Sequence, residues 1–271
     1  ESSNSGAQES YTLGDYFGPF ASDGYRLNDV LVGNQINHSG HSFVGWNWKA
    51  GGGPTVDNSA AAGAVPTAGS VKINGSNFTG NLAGSIAATR ISANTTSGFS
   101  IATYTGNNLA ATVAHGLGAA PDLVIVKSVG ATGSWHVYNG VTSSDSEDYY
   151  LLLDGTQAIT NSGTGTVPWN DTRSTSSVFS VGAADASTNI SGGTYVAYSF
   201  ASVEGYSMVG SYTGNGSTNG SFIYTGFRPA YVLAKRISGT SSWYLYDTTR
   251  TPTNENINSI YPNGDYDEGN N

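Results

Sequence analysis

Short runs in which large apolar residues alternate with small or polar ones recur along the chain, separated by glycine-rich turns. Tyr195-Val196-Ala197-Tyr198-Ser199-Phe200 and Phe43-Val44-Gly45-Trp46-Asn47-Trp48 both carry the period of two that marks a strand with one buried face. Leu123-Val124-Ile125-Val126 is apolar at consecutive positions, which predicts a central strand covered on both faces. The pattern predicts strands at 100–104, 123–128, 135–138, 149–154, 178–181 and 195–200, and again at 207–212, 231–236 and 243–247. Val71-Lys72-Ile73-Asn74 and Asn77-Phe78-Thr79 predict a short hairpin around Gly75-Ser76. Regular short strands with Gly-rich turns predict an all-β chain of the sandwich kind.

The runs repeat. Pro121, Val124, Lys127, Trp135 and Tyr138 find counterparts in Pro229, Val232, Lys235, Trp243 and Tyr246, all 108 residues on (229 − 121 = 108). Upstream of each set stand Gly98-Phe99-Ser100-Ile101 and Gly205-Tyr206-Ser207-Met208, followed in both by Tyr-Thr-Gly-Asn. A second repeat relates Asn189-Ile190-Ser191-Gly192 and the strand at 195–200 to Asn37-His38-Ser39-Gly40 and the strand at 43–48, 152 residues earlier (189 − 37 = 152). These repeats predict tandem β-sandwich modules: a complete copy at 98–201, the back half of a first copy within 1–49, and the front half of another at 205–271. Residues 50–97 open with Gly51-Gly52-Gly53-Pro54 and read as a linker with the small hairpin. Only Ser202-Val203-Glu204 separates the complete copy from the next, so those two should be rigidly coupled.

Composition narrows the function classes. Charged residues make up 11% of the 271, against about 25% in a usual soluble domain, and the 37 glycines are about twice the common share. The formal charge of −9 opposes binding to nucleic acid, whose phosphates are met by Lys and Arg. It likewise opposes an anionic membrane surface, and no apolar run approaches the length of a membrane span. The absence of cysteine excludes disulfides and thiolate metal sites. A Gly/Ser/Thr-rich chain of this kind fits a protein that folds in a reducing cytosol and works outside it. The chain opens Glu1-Ser2-Ser3 without an initiator Met or signal peptide, which reads as an N-terminus processed or cut from something longer.

Gly98-Phe99-Ser100-Ile101 through Tyr104-Thr105-Gly106, then His115-Gly116-Leu117-Gly118-Ala119-Ala120-Pro121, resembles a repeated module of bacteriophage tail-fibre and virion structural proteins, common in marine phages. Trp135-x-x-Tyr138, Ser177-Val178-Phe179 and Gly193-Thr194-Tyr195-Val196-Ala197-Tyr198 extend the likeness, and 43–52 is similar to the module's closing strand and exit. The third copy departs from it, with Thr225-Gly226-Phe227-Arg228-Pro229 in place of the His-Gly-Leu-Gly segment. The resemblance implies a structural role, no catalytic residues and no cofactor.

Chemistry-bearing residues are few. Glycoside hydrolysis needs two facing carboxyl groups, and the acidic clusters are Asp145-Ser146-Glu147-Asp148 and Asp265-Tyr266-Asp267-Glu268, both expected in solvated turns. They lack EF-hand spacing for Ca²⁺. His38 and His41 sit in an expected turn without a third ligand, and His115 should bond backbone at its Gly-Leu-Gly turn. Gly51-Gly52-Gly53 lacks the Lys-Ser/Thr ending of a phosphate loop. Trp135 and Trp243 share a module position and are expected to pack, whereas Trp169, Tyr149 and Tyr150 are better placed as platforms for a host glycan.

Half a sandwich cannot bury its apolar face or pair its strand edges. The partial copies are therefore expected to be completed by other segments, in one version by strand complementation between subunits of a homo-oligomer. The expectation is a non-enzymatic virion structural protein, a tail or surface fibre segment at the particle surface, meeting other virion proteins and the host. Alternatives are a cellular surface adhesin or filament subunit and, less favoured, a polysaccharide depolymerase.

Overall fold

Strands take up nearly all the regular structure, and the single helical element among the described residues is one 3-10 turn, Ser146–Asp148. The computed structural model describes residues 5–8, 17–27, 36–37, 39–142, 145–163, 168–252, 258–264 and 268–270. It divides into two units, Gln8–Asn47 and a larger one made of Glu1–Ala7 with Trp48–Asn271. In the smaller unit β1 (Phe17–Phe20) pairs antiparallel with β2 (Tyr25–Leu27).

The larger unit is organised around β13 (Thr194–Phe200), whose burial alternates strictly along its length. β13 lies antiparallel between β6 (Phe99–Thr105) and β8 (Leu123–Ser128). Outward from β8 come β9 (His136–Asn139), β10 (Tyr149–Leu152) and β11 (Thr160–Asn161). Outward from β6 come β5 (Arg90–Asn94), β3 (Val71–Ile73) and β4 (Ser76–Asn77), which completes a nine-stranded sheet. The β3–β4 turn is the expected hairpin: Asn74 and Gly75 both have positive φ, 51° and 88°, as the primed hairpin turns require.

Two further pairs cover this sheet. β7 (Ala111–Ala114) and β12 (Val178–Val181) form a two-stranded sheet over one face. Val113, Phe179 and Val181 there pack with Ile91, Tyr104, Val126 and Ala197. The opposite face receives β14 (Tyr231–Lys235) and β15 (Trp243–Asp247), whose Trp243 and Leu233 pack with Val137, Leu151 and Leu153. β8 is thus apolar on both faces because both are covered. β16 (Asn258–Ser259) and β17 (Gly269–Asn270) form a last short pair.

The expected strand positions are met at β6, β8, β10, β12, β13, β14 and β15, and at β9 with a shift of one residue. Two are not. Residues 208–230 carry no strand, and neither do 41–50, so the runs at 207–212 and 43–48 are not strands in this structure. The counterpart of 207–212, β6, is held by β13 on one side and β5 on the other. The 207–212 run has no pairing beyond a lone bridge from Ser207 to Val203. Alternation supplies a surface for a strand, but the ladder needs a neighbour.

Residues 50–97 supply more than a hairpin. β5 joins the sheet within them, although Arg90-Ile91-Ser92-Ala93 lacks the bulk that marks the other strands. The Gly51-Gly52-Gly53 run belongs to this junction. A Cβ on Gly51 would lie 2.6 Å from Lys72 O and 2.6 Å from Ala93 N. Glycine is therefore required where the backbone crosses the ends of β3 and β5.

The pairings themselves recur at constant spacing. Leu123↔Asn139, Val124↔Tyr138 and Ile125↔Val137 in β8–β9 reappear 108 residues on as Tyr231↔Asp247, Val232↔Tyr246 and Leu233↔Leu245 in β14–β15. Tyr149↔Asn161 and Tyr150↔Thr160 in β10–β11 reappear 109 residues on as Asn258↔Asn270 and Ser259↔Gly269 in β16–β17.

Candidate functional site

Of the three aromatics expected to offer platforms to a glycan, Trp169 does not. It is 2% exposed within the main core. Its indole N–H donates to Tyr149 O at 3.1 Å and its ring meets Tyr138 edge-on at 5.7 Å. A tryptophan carries enough apolar area to fix a loop when its N–H finds a carbonyl, and Trp169 fixes the loop around 168–172 to β10. Tyr149 and Tyr150 are half-buried on β10, with Tyr150 tilted against the His136 ring at 5.0 Å. The three residues do come together, but as packing.

The Asp145–Asp148 cluster forms the 3-10 turn, and the fold adds a carboxylate that the spacing did not suggest, Asp171. A side-chain hydrogen bond with Asp171 raises the Asp148 pKa, and burial and the charges of Asp171, Glu147 and Asp145 push the same way. Arg173 stands 3.0 Å from Glu147 and offsets part of that charge. Among the described residues no three His, Asp or Glu side chains are grouped to hold a metal ion. His38 and Asp265 to Asp267 lie outside the described residues, while Glu268 pairs with Arg250.

His115 is fully buried. Its Nε2 lies 3.1 Å from Thr175 O, and its Nδ1 accepts from the Leu117 N–H at 3.2 Å. Burial lowers its pKa to about 4, and the neutral ring serves as a bracket for the Gly-Leu-Gly turn, as its position in the sequence suggested.

A different set of residues forms the most organised polar arrangement. Lys127 is 5% exposed, and its Nζ donates to Ser128 O at 2.8 Å and to Ser5 O at 3.3 Å. The Gly133 N–H donates to the same Ser5 carbonyl at 2.8 Å. One repeat later, Lys235 Nζ donates to Arg236 O at 2.7 Å and to Thr156 O at 3.3 Å, and the Ser241 N–H donates to Thr156 O at 2.8 Å. Lys127, Ser128 and Gly133 correspond to Lys235, Arg236 and Ser241 at the spacing of 108, while Ser5 and Thr156 are 151 apart, close to the second spacing. The same clamp is built twice: a lysine on the penultimate or last position of the first hairpin strand grips the carbonyl of a segment from the preceding repeat. Burial lowers the pKa of both lysines, and at Lys127 the Asp154 charge opposes that. Each ammonium is kept by carbonyl acceptors in place of water.

The surface shows little that is concave. The largest depression of the larger unit, about 350 Å³, is lined by Val203, Glu204, Met208 and Tyr224 among others. It belongs to an open strip in which Met208, Tyr212, Phe222, Ile223 and Tyr224 are all exposed, Phe222 by 89%. A separate aromatic group, Trp48 with Phe99, Phe200 and Tyr231, closes one end of the sheet, its ring centres 5.5–6.3 Å from Trp48.

The profile of a family described as a domain of unknown function (DUF7483) matches residues 70–271. The chain belongs to that family. The DUF7483 span opens at Ser70, one residue before β3, and takes in the whole nine-stranded sheet and both covering layers. Both lysines of the repeated clamp fall inside the DUF7483 domain, whereas Ser5 lies outside it. No curated protein and no solved structure matches the chain.

Proposed function

We propose that this protein is a structural segment of a bacteriophage fibre, built from tandem copies of one β-sandwich module, exposed at the virion surface and contacting the host without catalysing a reaction. The repeated clamp carries the reading. When a carbonyl from one repeat is gripped by the lysine and backbone N–H of the next, and the same grip recurs one repeat on, each junction reproduces the last. Modules joined by one repeated junction extend in a line. The likeness of 98–121 to virion modules directs the reading toward a phage particle, and the acidic, weakly charged surface suits an exposed fibre in preference to a nucleic-acid packaging role.

Electron microscopy of the purified chain, alongside labelled particles that carry it, tests this. Rods with a regular axial repeat, decorated along a fibre, are expected. Compact particles without extension, or release of sugar from host polysaccharide by the purified protein, would overturn it.

A further inference from the structure

In the complete copy, β13 is inserted between β6 and β8 and pairs with both along their lengths. The last copy has the counterpart of β8, namely β14, and the counterpart of β6, the run 207–212, but between them there is no strand. β14 pairs with β15 alone among the described residues. The exposure of matched residues shows what is lacking. Tyr104 is 1% exposed and Tyr212 63%, and Val124 is 1% exposed and Val232 43%.

The chain also holds a β13-type strand without a sheet. Residues 42–48 align with β13 at the spacing of 152, yet 41–50 form no strand. Phe43 is 52% exposed where its counterpart Tyr195 is 1% exposed. In the complete copy Tyr195 stacks on Tyr104 at 5.2 Å and 20°. An unused edge and an unused strand, each with the apolar side chains that the other would cover, are thus present on one polypeptide.

Resting on the fibre reading above, we infer that segment 42–48 of a second copy inserts beside β14, orders the 207–212 run as a strand, and so joins chains head to tail. The complete copy dictates the register: Ser199↔Val124 and Ala197↔Val126 become Asn47↔Val232 and Gly45↔Ala234 across the two chains. Phe43 then stacks on Tyr212 as Tyr195 does on Tyr104. The donor is placed on a second copy because the single chain leaves both parts unpaired. Donor and acceptor are different patches, so the contact is heterologous and propagates without closing. Strand addition to a free edge supplies main-chain hydrogen bonds for affinity and alternate side chains for register.

The chain has no cysteine, so a single pair reports cleanly. Asn47→Cys and Val232→Cys chains, prepared separately with different tags, are mixed and oxidised under mild conditions. Both positions are surface-accessible in the single chain, so folding should survive each change. A mixed disulfide dimer in several-fold excess over either homodimer is expected, since only the mixed pair meets disulfide geometry. Hydrogen exchange at 207–212 should slow as concentration rises. A mixed dimer no more abundant than the homodimers would overturn the inference. So would a doubly substituted chain that links only within itself, an outcome kept open because Trp48 of the same chain already touches Tyr231. Rods without the mixed disulfide sink this inference and leave the fibre reading standing. Compact particles with no rods sink both.

Discussion

His115 shows how a titratable residue is recruited for architecture. Its two ring nitrogens are both engaged with backbone, which fixes the neutral tautomer and leaves no room for a second proton. In the unfolded chain the ring titrates near 6.5, and in the fold near 4. Between those values the unfolded state binds more protons than the folded one, so stability rises with pH there and is lost as pH falls. The gap corresponds to about 3 kcal/mol, fully present above pH ~6.5 and gone by about pH 4. Urea denaturation of the wild type should show this decline, and His115→Leu should flatten it. Two other groups act in the same range: the lowered His136 adds to the slope, and the raised Asp148 opposes it. The difference between variant and wild type therefore isolates His115. An unchanged slope in the variant would refute the bracket role.

At the scale of elements, the paired tryptophans are the informative case. Trp135 and Trp243 occupy one module position, and the sequence assigns both to packing. Trp243 is 5% exposed, donates its indole N–H to Leu152 O at 2.8 Å and joins β14–β15 to the sheet. Trp135 is half-buried and stacks on Tyr198 at 6.3 Å. Trp243→Ala should cost about 3–5 kcal/mol and free the hairpin for proteolysis between β14 and β15. Trp135→Ala should cost clearly less. Equal losses in thermal and chemical denaturation would show that the two positions carry the same load. Asn189 and Asn37 differ in the same way: Asn189 is fully buried, its amide donating to Gly182 O at 3.0 Å and its carbonyl accepting from the Asn107 N–H, whereas Asn37 is exposed.

Across the whole molecule, order should follow distance from β13. Local opening is cheapest where backbone hydrogen bonds are few and apolar contacts sparse. Hydrogen exchange on the isolated chain should therefore be slowest in β6, β8 and β13, intermediate in β14–β15, and fast across 208–230. Slow exchange in 208–230 at low concentration would mean that the strip is already paired within one chain. The repeated clamp adds a constraint of its own. Lys127 and Lys235 tie successive repeats at matching distances, so bending between repeats is resisted at the same place each time.

Read alone, the residues determined the all-β class, the position of nearly every strand in the complete copy, and the two spacings, because alternation and glycine turns are local signals. They also indicated the backbone role of His115, since the flanking glycines mark the turn. What they left open depends on neighbours. The runs at 43–48 and 207–212 have the pattern of strands, but a strand exists only where another backbone accepts its hydrogen bonds. Trp169 reads as a surface aromatic until β10 brings a carbonyl to its indole. The small residues of β5, the joining of Asp171 to the acidic turn and the doubled lysine clamp arise from segments distant along the chain, and folding alone brings them together.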